Sequence, residues 1–325
     1  MIAAITGAAG HLGANLVRSL LDHGASVRAL VREDSRAIDP LPVDTIRADV
    51  LHPDSLRQAF RGIDVVFHLA GRVSISGSQQ GAVETINVVG TRHVARACLD
   101  AGVRRLVPFR SVPAFAANPA HLPIDETCPA AEPKAPAYDR TKAASEREAL
   151  AAINRGLDVV ILNPTAVIGP HDYKPSPMGQ VILDLCHRRL PALVAGGFNW
   201  VDARDVAQAA LAAAERGRPG ERYLLGGEWR SLFDLARDVE QASGVPAPRW
   251  LAPMWLARLA APFAAAWSRA AHRRPRFTPE ALLALRNHRF VRHDKARREL
   301  DYHPRPLTET IRDTVTWFRQ NPPTR

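Results

Sequence analysis

A tyrosine and a lysine stand four residues apart in this chain, in the run Tyr138-Asp139-Arg140-Thr141-Lys142. On a helix, residues with this spacing lie on the same face, so the two side chains can meet. A phenol is a poor reversible base near neutral pH. Because a neighbouring positive charge favours the phenolate, we expect Lys142 to lower the pKa of Tyr138 and to promote proton transfer. Tyr-x-x-x-Lys is a common pattern, so the pair needs a second signal.

The second signal is a glycine-rich motif near the N-terminus, Thr6-Gly7-Ala8-Ala9-Gly10-His11-Leu12-Gly13. It follows the apolar run 2–5, which is typical of a buried parallel strand, and precedes residues 11–23, whose apolar positions repeat with helical spacing. Glycines at such a turn let the backbone approach a pyrophosphate, and the helix offers free N–H groups. The spacing is Gly-x-x-Gly-x-x-Gly rather than Gly-x-Gly-x-x-Gly, and an ordinary turn is the alternative. With the tyrosine and lysine, the motif predicts a nicotinamide-dependent enzyme.

Segments of strand and helix character alternate through the first half of the chain. The strand-like runs are 27–31, 45–47, 64–69, 105–108 and 158–162, and the helix-like runs are 53–60, 82–101 and 137–154. This alternation predicts an α/β fold of the Rossmann type, a doubly wound parallel sheet with helices on both faces.

The character of the chain changes after Pro164, where proline and glycine rise and helices dominate. The helix-like runs are 178–188, 206–216, 231–243, 254–271, 279–285 and 307–318, with short strands at 199–202 and 222–225. We therefore predict a dinucleotide-binding domain over 1–165 and a smaller, mainly helical substrate region over 166–325. The segment 199–217 is expected to return to the first domain.

Composition favours an ordinary globular protein. The chain has 325 residues, 46% of them hydrophobic, which is enough for a sizeable core. The cysteines, Cys98, Cys128 and Cys186, are odd in number and far apart, so we predict neither a disulfide framework nor a metal site. The chain begins directly with a predicted strand, so we expect no signal peptide and a cytoplasmic location.

The chain is strongly basic, with a formal net charge of +10 and a sequence pI near 10.3. The arginines are densest over 269–276 and 286–298. No interleaved aromatic residues of the base-stacking kind accompany them, so a solvated basic face is expected and no nucleic-acid partner. The apolar segment 251–267 is too short and too broken for a membrane span. It is expected to cover a substrate pocket, and an interfacial helix that contacts a membrane surface is the lesser alternative.

The motifs together resemble those of the extended short-chain dehydrogenase/reductases, a group of NAD-dependent epimerases and dehydratases. The chain looks most like the dihydroflavonol-reductase-like branch, which includes bacterial proteins labelled hopanoid-associated sugar epimerases. The resemblance covers nearly the whole chain and rests on the two motifs above, Phe67 to Gly71, Asn87 to Thr91, the region of Ser111, Asn163-Pro164 and Gly169-Pro170.

The resemblance implies a catalytic group of Ser111, Tyr138, Lys142 and Asn87. A serine hydroxyl just past strand 105–108 can hydrogen-bond a developing oxyanion. Asn87 is expected to position water or the loop that carries Ser111, and Lys142 to bind the nicotinamide ribose as well. Where the family has the first serine of a Ser-Ser pair, this chain has Arg110, which is expected to alter the pocket or hold an anionic group.

The cofactor is expected to be NADP rather than NAD. NAD-selective relatives place an acid at the end of the second strand, but this chain has Val31 followed by Arg32, with Arg36 close behind. An arginine binds a 2′-phosphate in a bidentate manner, and an acid would repel it; Glu33 and Asp34 weaken the argument. The full predicted cofactor set is Thr6, Gly7, Gly10, His11, Leu12, Gly13, Arg32, Asp49, Val50, Leu69, Ala70, Gly71, Tyr138, Lys142, Asn163, Pro164 and Val167.

These expectations predict an NADP-dependent oxidoreductase that reduces a ketone or aldehyde, or runs the reverse oxidation, on a hydrophobic small-molecule substrate. His171, Tyr173 and Trp255 are the candidate substrate contacts. The alternatives are a nucleotide-sugar epimerase or dehydratase that retains NAD, and a non-catalytic protein that senses the cofactor. The resemblance also implies that the helices predicted at 82–101 and 137–154 form a homodimer bundle.

Overall fold

The computed structural model of the chain describes residues 1–74, 77–115, 122–132, 134–270, 278–285 and 290–322. The arginine-dense stretch 269–276 lies largely outside these residues, and so do residues 286–289 of the second such stretch.

The first half of the chain forms six strands with helices between them. The strands are β1 (Ile2–Thr6), β2 (Ser26–Val31), β3 (Asp44–Arg47), β4 (Val65–His68), β5 (Arg105–Pro108) and β6 (Asp158–Val159). The helices are α1 (His11–Asp22), α2 (Pro53–Ala59), α3 (Ala82–Glu84), α4 (Gly90–Ala101) and α5 (Ala137–Ala151), with a π-helical turn at Thr85–Val89 and 3-10 turns at Val112–Ala114 and Ile153–Arg155.

All six strands run parallel in the order β3-β2-β1-β4-β5-β6. β4 and β5 are buried along their whole length, because helices cover both faces and the residues are almost all apolar. The strand order reverses between β1 and β4, and ligands of such sheets bind outside the carboxyl ends of the strands at this point. The predicted doubly wound α/β fold is confirmed.

The second half of the chain supplies the remaining elements. They are β7 (Ile161–Pro164), β8 (Ala166–Ile168), α6 (Pro177–Cys186), β9 (Leu193–Val194), β10 (Gly197–Asp202), α7 (Ala203–Arg216), β11 (Arg222–Leu225), β12 (Glu228–Ser231), α8 (Leu232–Ser243), β13 (Leu251–Ala252), α9 (Met254–Ala270), α10 (Pro279–Ala284), α11 (Asp294–Leu300) and α12 (Leu307–Gln320).

Two of these elements pack against the first half. The alanine-rich helix α7 shares one apolar cluster with α1, in which Val206 and Ala210 belong to the same buried group as Leu16 and Leu20. β11 pairs in parallel with β7, which continues the edge of the sheet next to β6. The predicted boundary between residues 165 and 166 stays a prediction, since the chain crosses between the two halves more than once.

A separate apolar cluster holds the second half together. It joins α6, α8 and α12 around Trp200, whose side chain is almost completely buried. Side-chain oxygens close the N-termini of two helices, because Ser176 accepts from the N–H of Gly179 and Ser231 accepts from the N–H of Asp234, each at 3.0 Å. These helices therefore form a fixed wall beyond the carboxyl edge of the main sheet.

Candidate active site

Ser111, Tyr138 and Lys142 meet where α5 begins beside the end of β5. Pro136 precedes the helix, so Tyr138 lies in its first turn and Lys142 one turn later. The Ser111 side chain is close enough to the Tyr138 hydroxyl to lower its pKa as a hydrogen-bond partner. The Lys142 Nζ lies 5.6 Å from the centroid of the Tyr138 ring. The structure therefore brings together the three groups that sequence predicted, in an arrangement suited to proton transfer.

The electrostatics of the pair differ from the sequence expectation. Burial raises the pKa of Tyr138 to about 12, although the hydrogen bond to Ser111 opposes this shift. Burial also lowers the pKa of Lys142 to about 7, and the charge of Arg110 lowers it further. The pKa of Tyr138 was expected to be lowered and is raised instead, because desolvation by burial outweighs the lowering effects of Ser111 and Arg110. Tyr138 consequently keeps its proton near neutral pH, as a proton donor requires.

Arg110 runs behind the site instead of entering the cavity. Its side chain is buried and donates to the carbonyl oxygens of Phe109 at 3.1 Å and Ser145 at 3.2 Å, and to the Thr91 hydroxyl at 3.4 Å. Burial lowers its pKa to about 10, and the charge of Glu146 acts against this shift. Arg110 therefore ties β5 to the middle of α5 and places a positive charge close to Lys142.

Asn87 lies in the π-helical turn and holds a different segment from the predicted one. Its Oδ1 accepts from the N–H of Arg72 at 2.8 Å, and its Nδ2 donates to the carbonyl of Arg72 at 3.1 Å. The same Nδ2 donates to the Thr141 hydroxyl at 3.2 Å. Its hydrogen bonds fix the chain after β4 against α5, instead of the Ser111 loop or a water as expected. Such π-helical turns are frequent at functional sites.

Glycines make the turn between β1 and α1 as tight as the motif requires. Gly7 has φ +76°, and a Cβ there would lie 2.8 Å from the backbone nitrogen of Ala70. A Cβ at Gly13 would lie 2.2 Å from the carbonyl oxygen of Gly7, so only glycine lets the helix approach the strand this closely. Gly10 precedes the helix and provides no side-chain cap. The N–H groups of the first turn can therefore serve a phosphate.

Thr6 joins β1 to β4 at the same edge. Its hydroxyl is 2.7 Å from Nδ1 of the buried His68 and accepts from the N–H of Ala70 at 3.2 Å. Burial, with the charge of Arg110, holds the pKa of His68 well below its usual value. His68 is therefore a neutral structural group that orders the strand ends on which the cavity rests.

A cavity of about 2490 Å³ follows the carboxyl edge of the sheet into the second half of the chain. That volume exceeds what one drug-sized ligand needs, so a dinucleotide and a second molecule can lie end to end. Lys142 is not part of the cavity lining, but it lies directly behind Gly71, which is. A Cβ built on Gly71 would lie 3.5 Å from the Lys142 Nζ. The predicted cofactor residues in the lining are Thr6, Gly7, Gly10, Arg32, Asp49, Val50, Leu69, Ala70 and Gly71.

The other predicted cofactor residues lie beside the cavity or behind it. His11 has its Nε2 3.2 Å from the carbonyl of Pro170, and Leu12 packs on the apolar cluster below the turn. Asn163 and Pro164 are buried in β7, and Asn163 donates to the carbonyl of Ser111 at 3.4 Å. The remaining ones outside the lining are Gly13, Tyr138, Lys142 and Val167.

The end of the cavity beside β2 carries the charges relevant to cofactor choice. Arg32, Glu33 and Asp34 all line it. Asp34 is paired with Arg36, whose Nε and Nη2 donate to its two carboxylate oxygens at 2.9 and 2.8 Å. These hydrogen bonds lower the pKa of Asp34 to about 2. Arg36 thus neutralises one of the two acids that weakened the sequence argument, and Glu33 and the cation Arg32 both line the cavity at this end.

The far end of the cavity is largely apolar. Its wall comes from the loop before α6, from α6 itself, from β9 and β10, and from α10. The apolar residues there include Leu190, Leu193, Val194, Phe198, Leu232, Leu282 and Leu285. The helix at 279–285 was predicted from the sequence, but none of its residues was predicted to contact the substrate. The signal was present in Leu282 and Leu285, whose spacing of three places them on one helix face.

The three predicted substrate residues lie outside the lining. His171 and Tyr173 pack with Trp317, at ring-centroid distances of 6.1 and 5.1 Å, and Arg18 donates to the Tyr173 hydroxyl at 3.2 Å. Burial lowers the pKa of His171 to about 4. Trp255 is 64% exposed. Other residues of the predicted loop 171–177 do line the cavity, namely Lys174, Pro175 and Pro177. His171 and Tyr173 are instead turned toward α1 and α12.

Comparisons with known proteins identify the family to which the chain is similar. A model of the NAD dependent epimerase/dehydratase family matches residues 3–226. Sterol demethylase protein B of Methylococcus capsulatus is 37% identical over 98% of this chain and 99% of its own length. A putative dihydroflavonol 4-reductase of Synechocystis is 35% identical over 98% of this chain and 94% of its own length. The crystal structure of gox2253 has a TM-score of 0.86 at 35% identity, and the match covers 100% of this chain and 99% of that one.

Proposed function

Because the chain belongs to the NAD dependent epimerase/dehydratase family and is an NAD(P)-dependent oxidoreductase, we propose that it reduces a ketone or aldehyde on an apolar substrate with NADPH. One observation carries this proposal. Tyr138 lies beside Ser111 and Lys142 and has its pKa raised to about 12. A protonated phenol is the form that donates to a carbonyl oxygen when hydride arrives at its carbon.

Tyr138, Ser111 and Lys142 each have a separate role in the proposed reduction. When NADPH is bound, its nicotinamide supplies the hydride that the carbonyl carbon accepts. The Tyr138 hydroxyl donates its proton to the carbonyl oxygen, so the product is a neutral alcohol. Ser111 donates a hydrogen bond to the same oxygen while negative charge develops on it. Lys142, one helical turn from Tyr138, stabilises the phenolate until a proton returns from solvent.

Asn87 and Arg110 act through other groups. Asn87 holds Arg72 and Thr141 with its amide, which keeps the segment after β4 against α5. Arg110 fixes the other side of α5 through the carbonyl of Ser145. Both therefore serve as positioning residues for Tyr138 and Lys142 in this proposal. The distances that they maintain matter, since small displacements of catalytic groups reduce turnover strongly.

NADP is the proposed form of the cofactor because of Arg32. The residue follows β2 directly and lines the cavity where the adenosine ribose of a dinucleotide lies in this fold. The pairing of Asp34 with Arg36 neutralises one of the two acids at this end that would repel a 2′-phosphate, and Glu33 is the other. Arg32 can then bind the phosphate in a bidentate manner.

An apolar substrate is proposed from the far end of the cavity. Leu193, Phe198 and Leu285 in that wall favour a ligand with little hydrogen-bonding capacity. The names of two similar proteins, a sterol demethylase protein and a dihydroflavonol reductase, support a steroid-like or aromatic ketone. The second candidate is a nucleotide-sugar epimerase, which is favoured by Lys174 and Arg189 in the cavity lining, because cations of this kind can bind a diphosphate.

A substrate panel separates the two functions. NADPH consumption is followed with a steroid ketone, an aromatic ketone, a short aldehyde and UDP-sugars, and products are identified by mass. The proposal predicts alcohol formation from the bulky ketones with one NADPH consumed for each product molecule. Conversion of UDP-sugars alone, without net NADPH consumption, would replace the reductase with the epimerase.

A further inference from the structure

Helix α9 presents its large apolar side chains to solvent. Trp255, Leu259 and Phe263 are 64, 62 and 77% exposed, and Leu256 is 41% exposed. The spacings of these residues place them near one face of the helix. A single exposed leucine is ordinary on a protein surface, but a group of large apolar side chains on one face marks a site of interaction.

The opposite face of α9 carries one methionine and otherwise alanines. Ala261 is buried, and Met254 and Ala257, three or four residues apart on the same face, pack against the cluster of Leu282 and Leu285. Core-facing positions of a helix normally hold the larger apolar residues, and solvent-facing positions the polar ones. The arrangement in α9 is the reverse of this rule, so folding alone does not account for its outer face.

The preceding strand extends the apolar surface. Trp250 and Leu251, at the start of β13, are 73 and 52% exposed. We define the α9 surface as Trp250, Leu251, Trp255, Leu256, Leu259 and Phe263. Of the helices in the described part of the chain, none is long and apolar enough to cross a membrane. Contact through this surface would therefore be lateral, with the helix lying along its partner.

The α9 surface is accompanied by positive charge, which favours a negatively charged partner. No aspartate or glutamate occurs in the sequence between Glu240 and Glu280. Arg249 and Arg258 are exposed within the described residues of this interval. A second copy of the chain would bring like charges together, whereas an anionic lipid surface supplies opposite charge and an apolar layer for the aromatic rings.

We propose that the α9 surface docks this protein on an anionic lipid membrane. Tryptophan and phenylalanine enter the boundary between headgroups and acyl chains, and Arg249 and Arg258 contact the lipid phosphates. The docking depends on neither the cofactor nor the reaction proposed above, so each can fail without the other.

Docking would also bring the membrane close to the apolar end of the cavity. Val194, Leu282 and Leu285 line the cavity and belong to the cluster on which the inner face of α9 packs. A lipid-dissolved ketone would then have a short path from the membrane to the site. This consequence rests on the proposed function, and the binding experiment is designed without it.

The test is sedimentation with vesicles in the absence of cofactor and substrate. The full chain is mixed with vesicles of phosphatidylglycerol and phosphatidylcholine in equal parts, and separately with pure phosphatidylcholine. We expect binding to the mixed vesicles and at least tenfold weaker binding to pure phosphatidylcholine. Replacing both Trp255→Ser and Phe263→Ser should weaken binding to the mixed vesicles on the order of a hundredfold, since two large apolar groups are lost.

Control variants distinguish this surface from general stickiness. Ile2→Ser removes an apolar side chain that is 43% exposed on β1 and should leave vesicle binding unchanged. Arg258→Glu should weaken binding several-fold more than Arg61→Glu, which reverses an exposed charge after α2. Thermal unfolding confirms that each variant is folded, as expected for exposed positions. Equal binding by the double variant and the parent protein, or no binding to mixed vesicles, would overturn the proposal. A concentration-dependent dimer that the double variant abolishes, without vesicle binding, would assign the surface to a second copy.

Discussion

Replacing Arg32 with aspartate should change the preference for the cofactor. A charge-assisted hydrogen bond contributes about 1.5–3 kcal/mol, and the lower end applies here because Arg32 is exposed at the edge of the cavity. Since about 1.4 kcal/mol corresponds to a tenfold change in affinity, loss of the arginine should weaken NADPH binding roughly tenfold or more. The new carboxylate adds repulsion of the 2′-phosphate. NADH lacks this phosphate, and its affinity should change by less than roughly threefold.

The assay is fluorescence titration of the reduced cofactors into the parent protein, Arg32→Asp and the control Arg61→Asp. Arg61 is exposed but does not line the cavity, so its variant should bind both cofactors as the parent does. The ratio of the two dissociation constants cancels general damage to the fold. Equal affinities of the parent for NADPH and NADH, or an unchanged ratio in Arg32→Asp, would refute the argument from the end of β2.

Three further variants test other parts of the account. Arg110→Met removes a charge that lowers the pKa of Lys142. Any limb of the pH–rate profile that follows the titration of Lys142 should therefore move to higher pH. An unmoved limb would contradict the electrostatic coupling between Arg110 and Lys142. Leu285→Ala should raise the KM for a bulky ketone roughly thirtyfold, since a covered apolar group contributes about 2 kcal/mol. The neighbouring Leu283→Ala changes an exposed side chain outside the lining and should leave the KM unchanged. Equal KM values for the two variants would place the substrate elsewhere. Gly13→Ala puts a Cβ 2.2 Å from a carbonyl oxygen and should abolish NADPH binding and lower Tm; normal binding would contradict the tight-turn argument.

Sequence sufficed for the fold because its signals are local and repeated. The buried runs that became β4 and β5 are apolar without alternation, and the helices between them have clear periodicity. The boundaries of β5, β11 and the start of α5 agree with the predicted ones. The two-residue strands β9 and β13 were missed, because a pair of residues has no measurable period. The π-helical turn within the predicted helix 82–101 was missed as well, since an extra residue in one turn leaves the apolar pattern nearly unchanged.

For the candidate site as well, local motifs could be predicted from the sequence, and properties that depend on the whole fold could not. Tyr138, Lys142 and Ser111 were found because their chemistry and motif are specific, and the structure brings them together. The pKa shifts of Tyr138 and Lys142 could not be predicted in the same way, since burial depends on the whole fold. Trp255 was expected in the pocket because it is large and apolar, but composition cannot tell which face of a helix turns inward. His171 was expected there from its place after a turn, and packing with Trp317 decided otherwise.

The central claim is that Tyr138 is the proton donor, and the single-turnover rate of Tyr138→Phe tests it most directly. The rate of NADPH oxidation is measured with a ketone that the parent reduces, and NADPH affinity is measured on the same samples. The account predicts a rate lower by on the order of a hundredfold or more with nearly unchanged NADPH affinity, because only the hydroxyl is lost. Tyr173→Phe, which removes a hydroxyl outside the cavity lining, should stay near the parent rate. A Tyr138→Phe variant that retains more than roughly a tenth of the parent rate would contradict the claim.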